Sequence, residues 1–403
     1  MDGERVICGV QKGRLGEIPV VYVVIPVFNR LAFTRACLDG LRAQTYRELQ
    51  AVVVDGGSTD GTVELLSKEY PDATVLHGRG ELWWGGAMQL GIEHVLGRSG
   101  SDNDFVLMMN NDTEIDRDFV DRLVRVSIAE QAVVGSTVVD SRDRSRILDA
   151  GEFIDWRTYS FSVRTEIDPN RSFFDDVDLL PGRGTLVPIR MIRVSGNVDG
   201  RVFPHYAGDY EFFQRLKRHG FRLGVTSEAR IAAHADETGL YTVGDMIGMR
   251  RAWTLISSRK SMNNVIDHWR FIGRCAPDGR KGGARVRMAW RSLQIVFLQT
   301  WLRYLVWPVM TVWRWLRFFA VDHYYVTDSD CSKFGLDPSH LAEQRILSPW
   351  LRTDWYKFSP GAKEKWNDEP RLRRLYRCAW NPSTKLQRWV KARAYRAEQR
   401  KAA

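Results

Sequence analysis

A chain of 403 residues, 44% apolar and 27% charged, can bury a sizeable core, and this composition excludes disorder throughout. The net charge of +10 is uneven: residues 1–240 carry 28 Lys and Arg against 36 Asp and Glu, whereas residues 241–403 carry 31 against 13. Cys8, Cys37, Cys275, Cys331 and Cys378 are scattered and odd in number, which argues against a disulfide framework or a zinc cluster and for a reducing cytosol.

The first residues lack a basic leader, so no cleaved targeting segment is expected. The apolar run over 20–26 predicts a strand stopped at Pro26, followed by a loop at Asn29 and an amphipathic helix over 31–44. A second strand, 50–55, ends at Asp55 and runs into Gly-Gly-Ser-Thr-Asp-Gly, where the glycines free the backbone for close approach to a ligand. Thr59 is placed to cap a helix over 60–69, with Asp60 at its start. A strand over 73–77 precedes Leu82-Trp-Trp-Gly-Gly-Ala87, which opens a helix over 86–97.

The run Phe105-Val-Leu-Met-Met-Asn-Asn-Asp-Thr113 predicts a fully buried strand, 104–109, that delivers Asn110, Asn111 and Asp112 to its C-terminal end, where ligands of open α/β sheets collect. A carboxylate there is either a costly buried charge or is kept ionised by a bound cation, and the cation is the preferred reading. Helices over 117–129 and 209–219 and strands over 132–139, 184–188, 221–225 and 229–233 complete the pattern, with a hairpin expected within 147–165.

Beyond about residue 240 the acidic excess ends and a Trp- and Arg-rich region begins. The stretch from Ser292 to Trp313 has three readings. Spanning a membrane needs about 20 apolar residues, and a mid-segment arginine such as Arg303 would cost about 2.5–3.5 kcal/mol, with a kink added by Pro308. A helix lying on an anionic membrane surface, or a helical core or homo-oligomer contact, fits the composition better. A pI near 9.4 also suits nucleic acid, but no nucleic-acid module is recognisable, so nucleic acid is not an expected partner.

Taken together, the Pro-Val-Phe-Asn loop, Val54-Asp-Gly-Gly-Ser-Thr-Asp-Gly-Thr62, the Trp83-Trp84 stretch, Pro181-Gly-Arg-Gly-Thr-Leu186 and His205-Tyr-Ala-Gly-Asp-Tyr-Glu211 resemble the family 2 glycosyltransferases. The likeness is greatest to their rhamnosyltransferase-like branch and covers roughly residues 20–240. It implies an α/β GT-A fold, a mostly parallel twisted sheet flanked by helices, over 1–240, followed by a mainly helical basic region over 241–403.

By the same resemblance, Asp209 is the general base of an inverting transfer, and Asp112 and His234 are ligands of a Mg²⁺ or Mn²⁺ ion. Pro26, Val27, Asn29, Asp55, Asp60, Asn110 and Asn111 are expected to border the nucleotide. Trp83, Trp84, Gly85, Arg183, Gly184, Thr185, His205 and Glu211 are expected to border donor sugar and acceptor. Two positions depart from the family pattern: Asn110 stands where a first aspartate is usual, and Gly208 where an acidic residue precedes the base. The expected partners are a dTDP- or UDP-sugar donor and a glycan or lipid-linked acceptor, and the expected place is the inner face of a bacterial cell membrane. L-rhamnose transfer is the preferred activity, with UDP-hexose transfer, or a catalytically silent membrane-surface scaffold, as alternatives.

Overall fold

The computed structural model describes residues 18–78, 82–233, 249–259 and 261–297, and two short strands further along the chain. The chain divides into two units, Met1–Thr300 and Trp301–Ala403. In the first, the order is β1 (Val21–Val27), α1 (Leu31–Arg42), β2 (Leu49–Asp55), α2 (Thr62–Glu69), β3 (Thr74–His77), α3 (Trp83–Arg98), β4 (Phe105–Met108), β5 (Thr113–Ile115), α4 (Phe119–Glu130) and β6 (Val133–Asp140). There follow β7 (Ile147–Asp149), β8 (Glu152–Asp155), β9 (Ser160–Val163), β10 (Phe173–Phe174), β11 (Thr185–Pro188), α5 (Ile189–Ser195), α6 (Gly208–Arg218), β12 (Leu223–Ala233), α7 (Met249–Ser257), α8 (Val265–Cys275) and α9 (Lys281–Val296). In the second unit, β13 (Tyr324–Tyr325) and β14 (Ile346–Leu347) pair antiparallel.

The main sheet runs β10-β12-β6-β11-β4-β1-β2-β3, with β5 against β12 and β7 against β6. Two blocks, β4-β1-β2-β3 and β6-β12, are parallel, and β11 joins them by pairing antiparallel with both β4 and β6. The α/β GT-A arrangement implied by the sequence is therefore present, with the four-stranded parallel block running from β4 out to the β3 edge.

Strands covered on both faces read as unbroken apolar runs, which is why 21–27 and 105–108 were legible. Successive side chains of β1 enter opposite cores: Tyr22 and Val24 join Met88 and Ile92 of α3, while Val21, Val23 and Ile25 join Leu38, Leu41 and Leu123 of α1 and α4. Gly91 lets α3 lie directly on the sheet, because a Cβ there would stand 2.3 Å from Val24 Cγ1. Pro26 is tolerated because the pairing of β1 with β4 stops at Val24.

Several expectations are corrected. The two strands read over 221–225 and 229–233 are one strand, β12, with a register irregularity between Thr226 and Arg230. The hairpin within 147–165 is formed by β8 and β9 alone, since β7 joins the main sheet. Thr59 does not cap α2; Asp60 serves both neighbouring helices, accepting from Leu31 N at 2.8 Å and from Thr62 N and Oγ1 at 3.2 and 2.6 Å. Helices α7–α9, assigned by charge to the basic region, lie in the first unit. There Phe271, Ile272, Ala284 and Met288 share the core of Phe212 and Phe213 from α6. No helix among the described residues is long and apolar enough to cross a membrane. His234 and most of the Ser292–Trp313 stretch lie outside the described residues.

Candidate active site

The C-terminal ends of β1, β2 and β4 open onto one side of the sheet. Val27 is buried and pairs with Asp55, and Pro26 pairs with Val54, at the strand ends where the nucleotide is expected. Asp55 is 2% exposed, and its carboxylate accepts from Gly57 N and Ser58 N at 3.1 Å, folding the glycine loop over itself. A carboxylate has about four acceptor positions, so Asp55 retains capacity toward a ribose or base. Asn29 and Arg30 both adopt left-handed backbone. The Asn29 Oδ1 accepts from Thr59 N at 2.9 Å, and Ser58 Oγ accepts from Asn29 N at 2.7 Å, so the two loops are tied together. Asp60, engaged by two helix starts, is part of this scaffold.

Beyond β4 the three polar residues diverge. Asn111 is buried, and its amide donates to Thr34 Oγ1 at 3.0 Å, which anchors the segment on α1. The Asn110 side-chain carbonyl accepts from Trp84 Nε1 at 2.9 Å. Asp112 Oδ2 pairs with Arg30 Nη1 at 2.7 Å, and its Oδ1 is buried without a hydrogen-bond partner. Arg30 was absent from the expected site because it follows the recognisable loop motif and reaches Asp112 only through its left-handed turn. Cys37, also in this region, is pushed up to about 12 by burial and then by the Asp112 charge, so its thiol is not a nucleophile.

Asp209 belongs to the first turn of α6, whose N-cap Ala207 is left-handed and has no capping side chain. A Cβ built on Gly182 would lie 2.5 Å from Asp209 Oδ2 and 3.1 Å from Trp84 Cζ2. Gly182 thus brings the base candidate and the indole together, and the indole reaches Asn110, two residues before Asp112. Asp112 and Asp209, 97 positions apart in sequence, are connected through Asn110, Trp84 and Gly182. Burial raises Asp209 to about 6, opposed by hydrogen bonds from the Tyr210 and Asp209 amides and by Arg183, and reinforced by Asp149. A carboxylate with this value is ionised at neutral pH yet basic enough to accept a proton.

Within the Arg183-Gly184-Thr185 segment only Arg183 faces these carboxylates. Gly184 has φ +72° and donates its N–H to Met108 O at 2.7 Å, while Thr185 is buried and donates to Pro181 O at 2.6 Å, so both are strand-start residues. Trp83 packs on His205 at 5.4 Å between ring centroids and His205 on Tyr206 at 4.3 Å, giving an aromatic edge just ahead of Asp209. Gly85 N donates to Pro204 O at 2.7 Å, holding that edge to α3. Glu211 is the clearest correction: it is buried, paired with Arg215 at 3.0 Å, and faces a separate cleft of about 530 Å³ that includes Gln89, Asn197 and Arg274. It therefore does not line the Asp209 cleft.

The sequence reading missed Asp149 and Glu152. Both are buried, and Glu152 accepts a hydrogen bond from the Tyr210 hydroxyl, the residue after Asp209. Their only sequence signal is a pair of acids bracketing Gly151 within a hairpin region, and the partner lies 58 residues away. Among the described residues no group of three or more His, Cys, Asp or Glu side chains is arranged to hold a metal ion by itself.

The description Glycosyl transferase family 2 is carried by a family model that matches residues 22–179. Glycosyltransferase GlyA of Streptococcus pneumoniae is 30% identical over 114 residues, 28% of this chain and 16% of that protein. The putative glycosyltransferase EpsH of Bacillus subtilis is 24% identical over 139 residues, 33% of this chain and 38% of that one. The chain thus spans well under half the length of these curated relatives. The crystal structure of S. aureus TarS superposes with a TM-score of 0.43 and 14% identity, covering 69% of this chain and 55% of that one. The matched segment holds β1, the Asp55 loop and the β4 end with Asp112, and over it the chain is similar to the family 2 glycosyltransferases.

Proposed function

We propose that the protein is a metal-assisted inverting glycosyltransferase that moves a sugar, L-rhamnose from dTDP-rhamnose, onto a surface polysaccharide or lipid-linked glycan. The observation that carries this reading is the convergence of Asp112 and Asp209 through Asn110, Trp84 and Gly182. Asp209 takes the proton of the acceptor hydroxyl as that oxygen attacks the anomeric carbon, and the bond from that carbon to the diphosphate breaks. Inversion is supported because Asp209 is the least buried carboxylate of its cluster, whereas Asp149 and Glu152 are each under a tenth exposed and are not placed to form a glycosyl intermediate.

The Asp112 Oδ1, buried and unpartnered, fits one ligand position of a divalent cation, since Mg²⁺ is commonly held by one or two carboxylates together with substrate phosphates. Such an ion, when bound, offsets the charge that grows on the departing diphosphate. Arg30 pairs with Asp112 at 2.7 Å and adds a guanidinium, a group suited to phosphate, beside that carboxylate. Arg183 adds positive charge beside Asp209. The choice of rhamnose and dTDP rests on the rhamnosyltransferase-like motifs. Incubation with dTDP-rhamnose and with UDP-hexoses, each with Mg²⁺ and a glycan acceptor, is expected to release dTDP. Release from a UDP-sugar alone would replace the donor, and release from none would leave the scaffold reading.

Peripheral contact with an anionic membrane is part of the proposal. On α9 and just after it, Val286, Trp290, Leu293 and Phe297 follow a 4-3-4 spacing and are all more than half exposed, with Arg287 and Arg291 beside them. Residues 249–297 carry 11 Lys and Arg against 2 acids. Trp290→Ser combined with Phe297→Ser is expected to weaken sedimentation with phosphatidylglycerol vesicles about tenfold. Unchanged sedimentation would remove this surface from the account.

A further inference from the structure

The transfer described above leaves two buried carboxyl groups beside the base without a task. Asp149 ends β7 and is 8% exposed; Glu152 opens β8 and is 7% exposed. Gly151 between them has φ +107° and donates its N–H to Asp149 Oδ1 at 2.8 Å. Both carboxyl groups are buried and the charge of one opposes ionisation of the other, so ionising the two together is disfavoured and one of the pair keeps a proton.

Glu152 is fixed from both sides. Its main-chain carbonyl accepts from Asp178 N and Leu179 N at 2.9 and 3.1 Å, on the segment that leads to Gly182. Its Oε2 accepts from Tyr210 Oη, and the Tyr210 ring stacks on Phe161 at 5.7 Å and lies 6.3 Å from Phe271. Tyr210 N in turn donates to Asp209 Oδ1 at 2.9 Å. Since no side chain caps α6, the clamp on Tyr210 is what holds this first turn. The positive charge of Arg183 acts on Asp149, Glu152 and Asp209 alike, and neighbouring Asp178 is already paired with Lys217.

We infer that Glu152 is a positioning residue for Asp209: sharing one proton with Asp149, it fixes Tyr210 and limits the pair to a single negative charge beside the base. This rests on the assignment of Asp209 as the base. Burial, then the charge of Asp149, raises Glu152 to about 8, and burial also raises Asp149; the pair titrates as a unit. The folded chain therefore keeps a proton that the unfolded chain loses near the ordinary carboxyl value. The pair's contribution to stability is full below that value and is lost as pH rises toward about 8.

Glu152→Gln keeps an acceptor for Tyr210 and removes the titrating proton. It is expected to hold kcat at pH 7 within about threefold of wild type while removing an alkaline fall in rate centred near pH 8. Glu152→Ala is expected to lower kcat about a hundredfold with KM for the donor unchanged, because the base, and not the donor site, is displaced. A Gln variant as impaired as the Ala variant, or an Ala variant with full activity, would overturn the assignment. Carbon-13 titration of the carboxyl groups separates this from the fate of the transferase reading. One carboxyl step near pH 8 in wild type that is missing in Glu152→Gln supports the pair even if no sugar nucleotide turns over, and its absence in wild type overturns the pair even if transfer is confirmed.

Discussion

Asp209→Asn is expected to lower kcat about a thousandfold, within the usual contribution of a positioned general base, while leaving the affinity for donor nucleotide within twofold. The side chain keeps its size, so its contacts with the Gly182 turn and the Tyr210 amide are retained and only proton acceptance is lost. Wild-type kcat is expected to rise with pH through about 6, as the carboxyl raised by burial ionises. Steady-state rates of nucleotide release from pH 5 to 9 measure both. An Asp209→Asn enzyme with wild-type kcat would assign the base elsewhere.

Asp112→Asn should behave differently. The change removes the charge opposite Arg30 and the buried oxygen available to a cation, so both the metal requirement and donor binding are expected to weaken. The expected loss in kcat/KM is about a hundredfold, of the order found when one group stabilising a developing charge is removed. The Mg²⁺ concentration for half-maximal rate should rise in parallel. A variant whose Mg²⁺ titration is unchanged would show that Asp112 serves only Arg30. The contrast between the two variants, one losing turnover and the other also losing donor affinity, is what a shared cleft with separate walls requires.

Much of this was legible in the residues because the central strands are buried on both faces. β1, β2 and β4 read as apolar runs with polar ends, and those ends carry Asp55 and Asp112. What escaped has local physical reasons. β5 is three residues long and β10 two, too short for periodicity, and α5 is a seven-residue turn with no capping side chain. Helix α3 begins at Trp83 and not at Gly86, because Gly85 docks on Pro204, a contact made across 119 positions that no local pattern carries. Glu211 was assigned to the acceptor wall because it lies two residues from Asp209, yet on a helix that offset turns it to another face, where Arg215 meets it. Glu152 was missed for the converse reason, being distant in sequence and adjacent in space.

The charge boundary near residue 240 misplaced α7–α9 because composition reports the exposed face of an amphipathic helix. Their inward residues, Phe271, Ile272 and Met288, belong to the core beneath α6. Net charge thus describes partners more directly than it describes where a domain ends.

A crystal structure with dTDP-rhamnose, or a UDP-sugar if the donor assay selects one, tests the convergence of Asp112 and Asp209 directly. The diphosphate is expected beside Asp112 and Arg30, the nucleoside over Val27 and Asp55, and the anomeric carbon toward Asp209 with Trp84 alongside. A donor seated in the cleft of Gln89, Asn197 and Arg274, or with its anomeric carbon beyond reach of any acceptor held by Asp209, would contradict the account.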